Sequence, residues 1–281
     1  MLRRYQNKLI FLFAVISLSQ AQAKLSVAAY QAFPPELNIL NIKPSLVEWG
    51  IAGSFLLLDK IDNQLVSMGA LNGLQTVGGF GRGPFSFSEP IWVGVDPHGI
   101  SIIDRLENKV IQLDYRLNYM GEINLEPRLY PDLAAIDQWG KILIYSSQFH
   151  SIFLLENRLL NKIPLIDLNR FSKIGFCVKQ ININENGEIG LLDCDSNFHL
   201  FSRHGEYKNS FTSNIQSGKF LVPLRNSWFV FNEKGEGESI IRKIKLKIPD
   251  VSLPVVDVKS LNRSLAVLSK DHILILNAKL K

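Results

Sequence analysis

Val95-Asp96-Pro97-His98-Gly99 closes a tight turn, after which residues 100–103 run apolar to Asp104, the chain turns at Asn108, and a third apolar stretch spans residues 110–113. Ile183-Asn184-Glu185-Asn186-Gly187 repeats this unit and leads to Asp193, Asn197 and residues 199–201. Trp49-Gly50-Ile51-Ala52-Gly53 begins another copy that ends at Asp59 and Asn63. A fourth follows Ile136-Asp137-Gln138-Trp139-Gly140, with Ser146 and His150 in place of Asp and Asn, and two weaker copies end at Asn232 and Ser269. The markers at 59, 104, 146, 193, 232 and 269 recur every 37 to 47 residues. A period of that length built from strands alone specifies a β-propeller with one blade per repeat. The first three intervals, 45, 42 and 47, are too long for a seventh blade.

The expected architecture is all-β: a six-bladed propeller of four-stranded antiparallel blades filling residues 24–281 as one domain. Blade limits fall near 44–89, 90–130, 131–176, 177–220, 221–253 and 254–281. The last repeat holds only three strands, 255–258, 265–268 and 273–276. The fourth is expected from the N-terminal side, at 25–29 or 37–42, which closes the ring and removes an exposed sheet edge. Residues 159–172 alone could pass for a short helix, and Pro164 argues against it.

Residues 1–23 read as a secretory signal peptide. Arg3, Arg4 and Lys8 give a basic start, residues 9–18 an apolar run, and Ala21-Gln22-Ala23 a small-residue cleavage site. The apolar run is half the roughly 20 residues that a membrane span needs. Export to the periplasm or the medium is the expected address, with no stable membrane insertion after cleavage. The signal carries three of the 31 basic residues, which leaves 28 against 26 acidic ones. That near balance removes the electrostatic footprint of a nucleic-acid binder.

Cys177 and Cys194 flank the turn at residues 184–187. A two-residue loop there would set them opposite each other. A three-residue loop with a left-handed Gly187 pairs Asn184 with Glu188 and sends the two side chains to opposite faces. Gly187 favours the second register, so two separate, buried small residues are the expectation.

The stretch from Gly78-Gly79-Phe80-Gly81-Arg82-Gly83-Pro84-Phe85 through Glu89-Pro90-Ile91-Trp92 to Val95-Asp96 resembles an NHL repeat, with its Gly-rich loop, Phe, Pro and strand ending in Val-Asp. Asp104, Asn108, Lys109, Val110 and Ile111 extend the resemblance. It is good over blade two, fair over blades one and four, and weak elsewhere. The resemblance implies a six-bladed propeller with a central channel, and among relatives of that kind are lactonases that hold a divalent metal in the channel.

Asp59, Asp104 and Asp193 are expected to cap turns through backbone N–H groups, with Asn63, Asn108 and Asn197 in the left-handed conformation such turns need. His150 takes the Asn place in blade three, as a turn residue and a candidate ligand contact. No nucleophile–base spacing stands out, and the histidines show no pairing. Phe80, Arg82, Phe85, Phe87, Glu89 and Trp92 gather aromatic residues and an arginine at the mouth of blades one and two, types enriched in protein-binding hot spots. The expected function is therefore a monomeric, non-catalytic scaffold without cofactor or metal, binding a protein or peptide partner through one propeller face. The alternative is a metal-dependent hydrolase or lyase of the lactonase type.

Overall fold

The computed structural model describes residues 24–69, 73–79 and 86–279. The signal-peptide reading of residues 1–23 lies outside them, as do Phe80, Arg82 and Phe85. Six antiparallel sheets stand radially, each entered by its innermost strand: Leu46–Trp49, Pro90–Asp96, Leu133–Ile136, Val178–Ile183, Phe220–Leu224 and Asp257–Leu261. Each of these first strands contacts the next, and the sixth contacts the first, so the ring closes around a channel. Phe220, which the sequence places at the end of blade four, opens blade five. Among the described residues no helix is long and apolar enough to cross a membrane.

The second strands show why the ring must close. In Phe55–Asp59 the run Phe-Leu-Leu-Leu is wholly buried, as a continuous apolar strand covered on both faces should be. Phe55 and Leu57 pack toward blade six, whereas Leu56 and Leu58 pack toward blade two. The same alternation recurs at Trp228 and Val230 against Phe229 and Phe231. One apolar cluster fills each seam between neighbouring blades. No blade can bury both faces alone, which is the energetic logic of a repeat fold.

Blade six is completed by Lys24–Ala32, which pairs antiparallel with His272–Lys279 as the outermost strand. Of the two candidate segments, the first supplies the strand. The second forms a short helix, Pro35–Ile39, that buries Leu37, while Ile42 packs nearby in the seam between blades six and one. In blade three the outer strand is broken into Leu159–Leu160 and Ile166–Asp167. Pro164 lies in the gap; it has no N–H to donate to a ladder.

The cysteine expectation is corrected. Asn184 does pair with Glu188, and the register continues to Gln180 opposite Leu192. A bulge at Lys179 then shifts the pairing by one residue, so Val178 faces Asp193 and Cys177 meets Cys194 in a disulfide. Because strand side chains alternate with period two, one extra residue moves Cys177 to the other face.

Candidate functional site

Two kinds of loop form the face where the first strands begin: crossings from one blade to the next, and turns between second and third strands. Buried polar markers tie them together. The Asp104 carboxylate accepts from the N–H groups of Ser88 (2.7 Å) and Glu89 (3.2 Å) in the crossing, and of Glu107 (3.1 Å) in its own turn. Asp59 likewise accepts from Lys43 (2.6 Å), Ile61 (2.8 Å) and Asp62 (3.1 Å). Asn108 Oδ1 accepts from the N–H groups of Leu129 and Tyr130, and Asn63 Nδ2 donates to the Ser88 carbonyl. These residues fix the loops rather than face a ligand.

Asn63, Asn108 and His150 are left-handed, at φ 53°, 54° and 47°. In blade four that conformation belongs to Ser196 (φ 64°), not Asn197. The turn there is one residue shorter: Asp59 pairs with Gln64 five residues on, whereas Leu192 pairs with Phe198 and leaves Asp193 opposite Asn197. Asn197 instead donates its backbone N–H (2.8 Å) and Nδ2 (3.1 Å) to the Asp193 carboxylate.

At the centre of this face lies a cavity of about 320 Å³ walled by the first strands of all six blades. Of its charged groups, Lys60, Asp257 and Lys259 meet at the seam between blades six and one, while Asp132, Lys179 and Lys219 stand at blades three, four and five. Lys259 Nζ lies 3.2 Å from Glu48 Oε2, and the buried Asp257 accepts from the N–H groups of Val47 (3.0 Å) and Val258 (2.9 Å). Burial raises the Asp257 pKa, with Lys259 and the two N–H groups opposing and Glu48 reinforcing. Lys259 is also pushed up: burial acts downward, but the charges of Glu48 and Asp257 outweigh it. Lys60 reaches over the rim and keeps part of its length in solvent. Protein packed round it lowers its pKa, Asp257 opposing and Lys259 adding to the shift. On the rim between blades two and three, Arg105 bridges Glu89 (3.5 Å) and Asp132 (3.3 Å).

Among the sequence candidates, Glu89 stands at this rim, whereas Phe87 (2% exposed) and Trp92 (5%) are buried in the seams on either side of blade two. Their bulk packs blade against blade. His150 is also buried, its Nδ1 3.2 Å from the Tyr145 hydroxyl. Burial lowers the His150 pKa, Asp167 opposing, and pushes Tyr145 up to about 12 with help from Asp132. His199 and Asp193 are hydrogen-bonded at 3.1 Å, the arrangement of a base and its orienting acid, but each is 1% exposed and closed to substrate. Among the described residues no three His, Cys, Asp or Glu side chains converge as a metal site would require.

The sequence did not single out Phe176. It is 82% exposed beside the disulfide, its ring centroid 5.0 Å from that of His150. Ile61, Leu106 and Phe149 also project from second-to-third-strand turns on this face. Exposed apolar side chains thus stand on this face at blades one to three and at the crossing into blade four.

No protein-family model matches the chain, and no curated protein sequence matches it. Solved structures do. The fold is that of known propellers. A streptogramin B lyase superposes with a TM-score of 0.61 at 11% identity, over 93% of this chain and 100% of the other. A catalytically inactive variant of virginiamycin B lyase from Staphylococcus aureus with quinupristin gives 0.59 at 12%, over 91% and 99%. The WD40 domain of Pan2 from Neurospora crassa gives 0.55 at 9%, over 89% and 80%. Identities this low establish shared architecture and leave function to the site itself.

Proposed function

We propose that this chain is an exported, non-catalytic binding scaffold of the NHL-repeat kind that takes a protein or peptide partner on the channel-mouth face. The observation that carries the reading is a six-walled cavity of about 320 Å³ on a face where exposed apolar side chains project from blades one to three and from the crossing into blade four, Phe176 foremost. Exposed apolar groups rimmed by polar ones are the surface chemistry of an interaction site. Arg82, between Gly81 and Gly83 and seven residues before Glu89 in the sequence, is of a residue type favoured in hot spots. A photo-crosslinking residue at position 176 should capture a partner that the same residue at 159, on the outer edge of blade three, does not. Arg82→Ala should weaken that partner by roughly 2 kcal/mol while leaving the melting temperature in place. Equal crosslinking at both positions would reject the mouth as the binding face.

A second reading, a metal-dependent hydrolase or lyase, draws on one observation: the partly solvated Lys60 and the buried Asp257 line one cavity, where loss of water around them shifts the Lys60 pKa down and the Asp257 pKa up. Such opposed shifts in a cleft are found at catalytic sites. A stoichiometric divalent ion in protein purified without chelator would favour it.

A further inference from the structure

The face opposite the mouth carries a second arrangement. Three successive blades present the same turn there: Asp96-Pro97-His98-Gly99, Asp137-Gln138-Trp139-Gly140 and Asn184-Glu185-Asn186-Gly187. In each, the leading side-chain oxygen accepts the N–H of the residue two places on, from His98 (2.6 Å), Trp139 (2.9 Å) and Asn186 (3.0 Å). The turn is therefore held by its first residue and its glycine, and the tip side chain is free to vary. In blade three that tip is an indole, 61% exposed, where the neighbours carry imidazole and amide. Nothing in the turn geometry calls for tryptophan.

A recess opens on each side of Trp139. One, of about 330 Å³, runs toward His98 between blades two and three; the other, of about 530 Å³, runs toward Asn186 between blades three and four. Third-to-fourth-strand turns form the outer walls, with Asn157 and Arg158 on one side and Arg203 and His204 on the other. Together they make a curved groove beneath three blades with Trp139 at its midpoint. Both volumes lie in the range of real ligand sites.

Charge decides what fits. Asp96 is balanced by Arg158 in the first recess; in the second, Asp137 and Glu156 are balanced by Lys141 and Arg203. Several of these groups are already held by neighbours: Arg158 donates to Gln112 Oε1, Lys141 lies 2.9 Å from Glu156, and Arg203 Nε donates to His204 (3.0 Å). A groove with no net charge does not select a polyanion such as a nucleic acid. Nor does it suit an added strand, because on this face the blades present strand ends rather than an unpaired edge. An apolar ring face between arrays of fixed amide, guanidinium and carboxylate groups matches a ligand with apolar faces and a rim of hydroxyl groups.

We propose that the groove centred on Trp139 binds a neutral oligosaccharide, one sugar ring stacking on the indole while its neighbours hydrogen-bond in the flanking recesses. An array of neutral oligosaccharides probed with the purified protein tests this, followed by fluorescence titration of the best binder. Trp49, Trp92 and Trp228 are more enclosed than Trp139, so stacking should quench mainly the red-shifted part of the emission. Trp139→Ala should weaken binding at least about tenfold with an unchanged melting temperature, whereas Phe176→Asp on the opposite face should leave it intact. An array without binders, or binding that survives Trp139→Ala, would overturn the assignment. Binding to a peptide array that Trp139→Ala abolishes would overturn it too, by giving the groove to a peptide.

Discussion

Cys177 lies opposite Cys194, with 5.4 Å between their Cα atoms, because Lys179 is one residue more than its partner strand can accommodate. The bridge clamps the crossing from blade three to the turn that follows the second strand of blade four, beside exposed Phe176. A loop of this size, 17 residues apart in sequence, is worth about 3 kcal/mol in the chain-entropy account. Replacing both cysteines by serine should lower the melting temperature by on the order of 6–12 °C. Calorimetry with and without a reductant checks it: the parent should respond to reduction and the double variant should not.

The buried markers make a sharper prediction about turns. Asp104 accepts three part-buried backbone N–H groups, and Asp104→Ala would leave those donors without their acceptor. The expected cost is on the order of 2–3 kcal/mol. Asp104→Asn, which keeps one acceptor oxygen, should cost less. Urea unfolding of the two variants measures the difference, and equal midpoints would show that the bonds contribute little.

Much of the fold is legible because propeller blades bury both faces. Continuous apolar runs ended by a polar residue stand out at Asp59, Asp104, Ser146 and Asp193, and even at Asn232 and Ser269, all buried here. The bulge at Lys179 is not legible, since an extra residue changes no local composition. The shorter turn that moves the left-handed place to Ser196 is hidden for the same reason. Channel residues such as Glu48, Lys60, Asp257 and Lys259 come from opposite ends of the chain, and only ring closure brings them together. Trp139 was visible as a turn position, but its flanking recesses depend on how blades two, three and four sit side by side.

Asp193 gives a pH dependence. Burial acts to raise its pKa, but hydrogen bonds from His199 and from the Asn197 backbone and side chain outweigh that and hold it below the usual carboxylate value. A depressed folded-state pKa contributes stability above the unfolded value of about 3.9, and that contribution is lost as pH falls through the folded value. Asp193→Asn should therefore unfold more readily than the parent at neutral pH. The gap should narrow below about pH 4 as the parent loses its own advantage. A gap that stays constant down to pH 2 would count against the carboxylate.

The closing strand supplies the last prediction. Lys24–Ala32 covers the edge of His272–Lys279 along eight paired positions, and Tyr30 sits with its ring centroid 4.5 Å from that of His272. Among the described residues the ladder starts at Lys24, the residue after the expected cleavage site. Protein recovered after export should have Lys24 at its N-terminus, which N-terminal sequencing can read. A chain beginning at Phe33 would leave the outer edge of blade six unpaired, a template for pairing with a second molecule. It should elute as dimers or larger species in size-exclusion chromatography, where the parent is expected as a monomer. Adding a synthetic peptide of residues 24–32 should restore the monomer, because the peptide fills the same edge. A truncated chain that stays monomeric and equally stable would show that blade six closes with three strands.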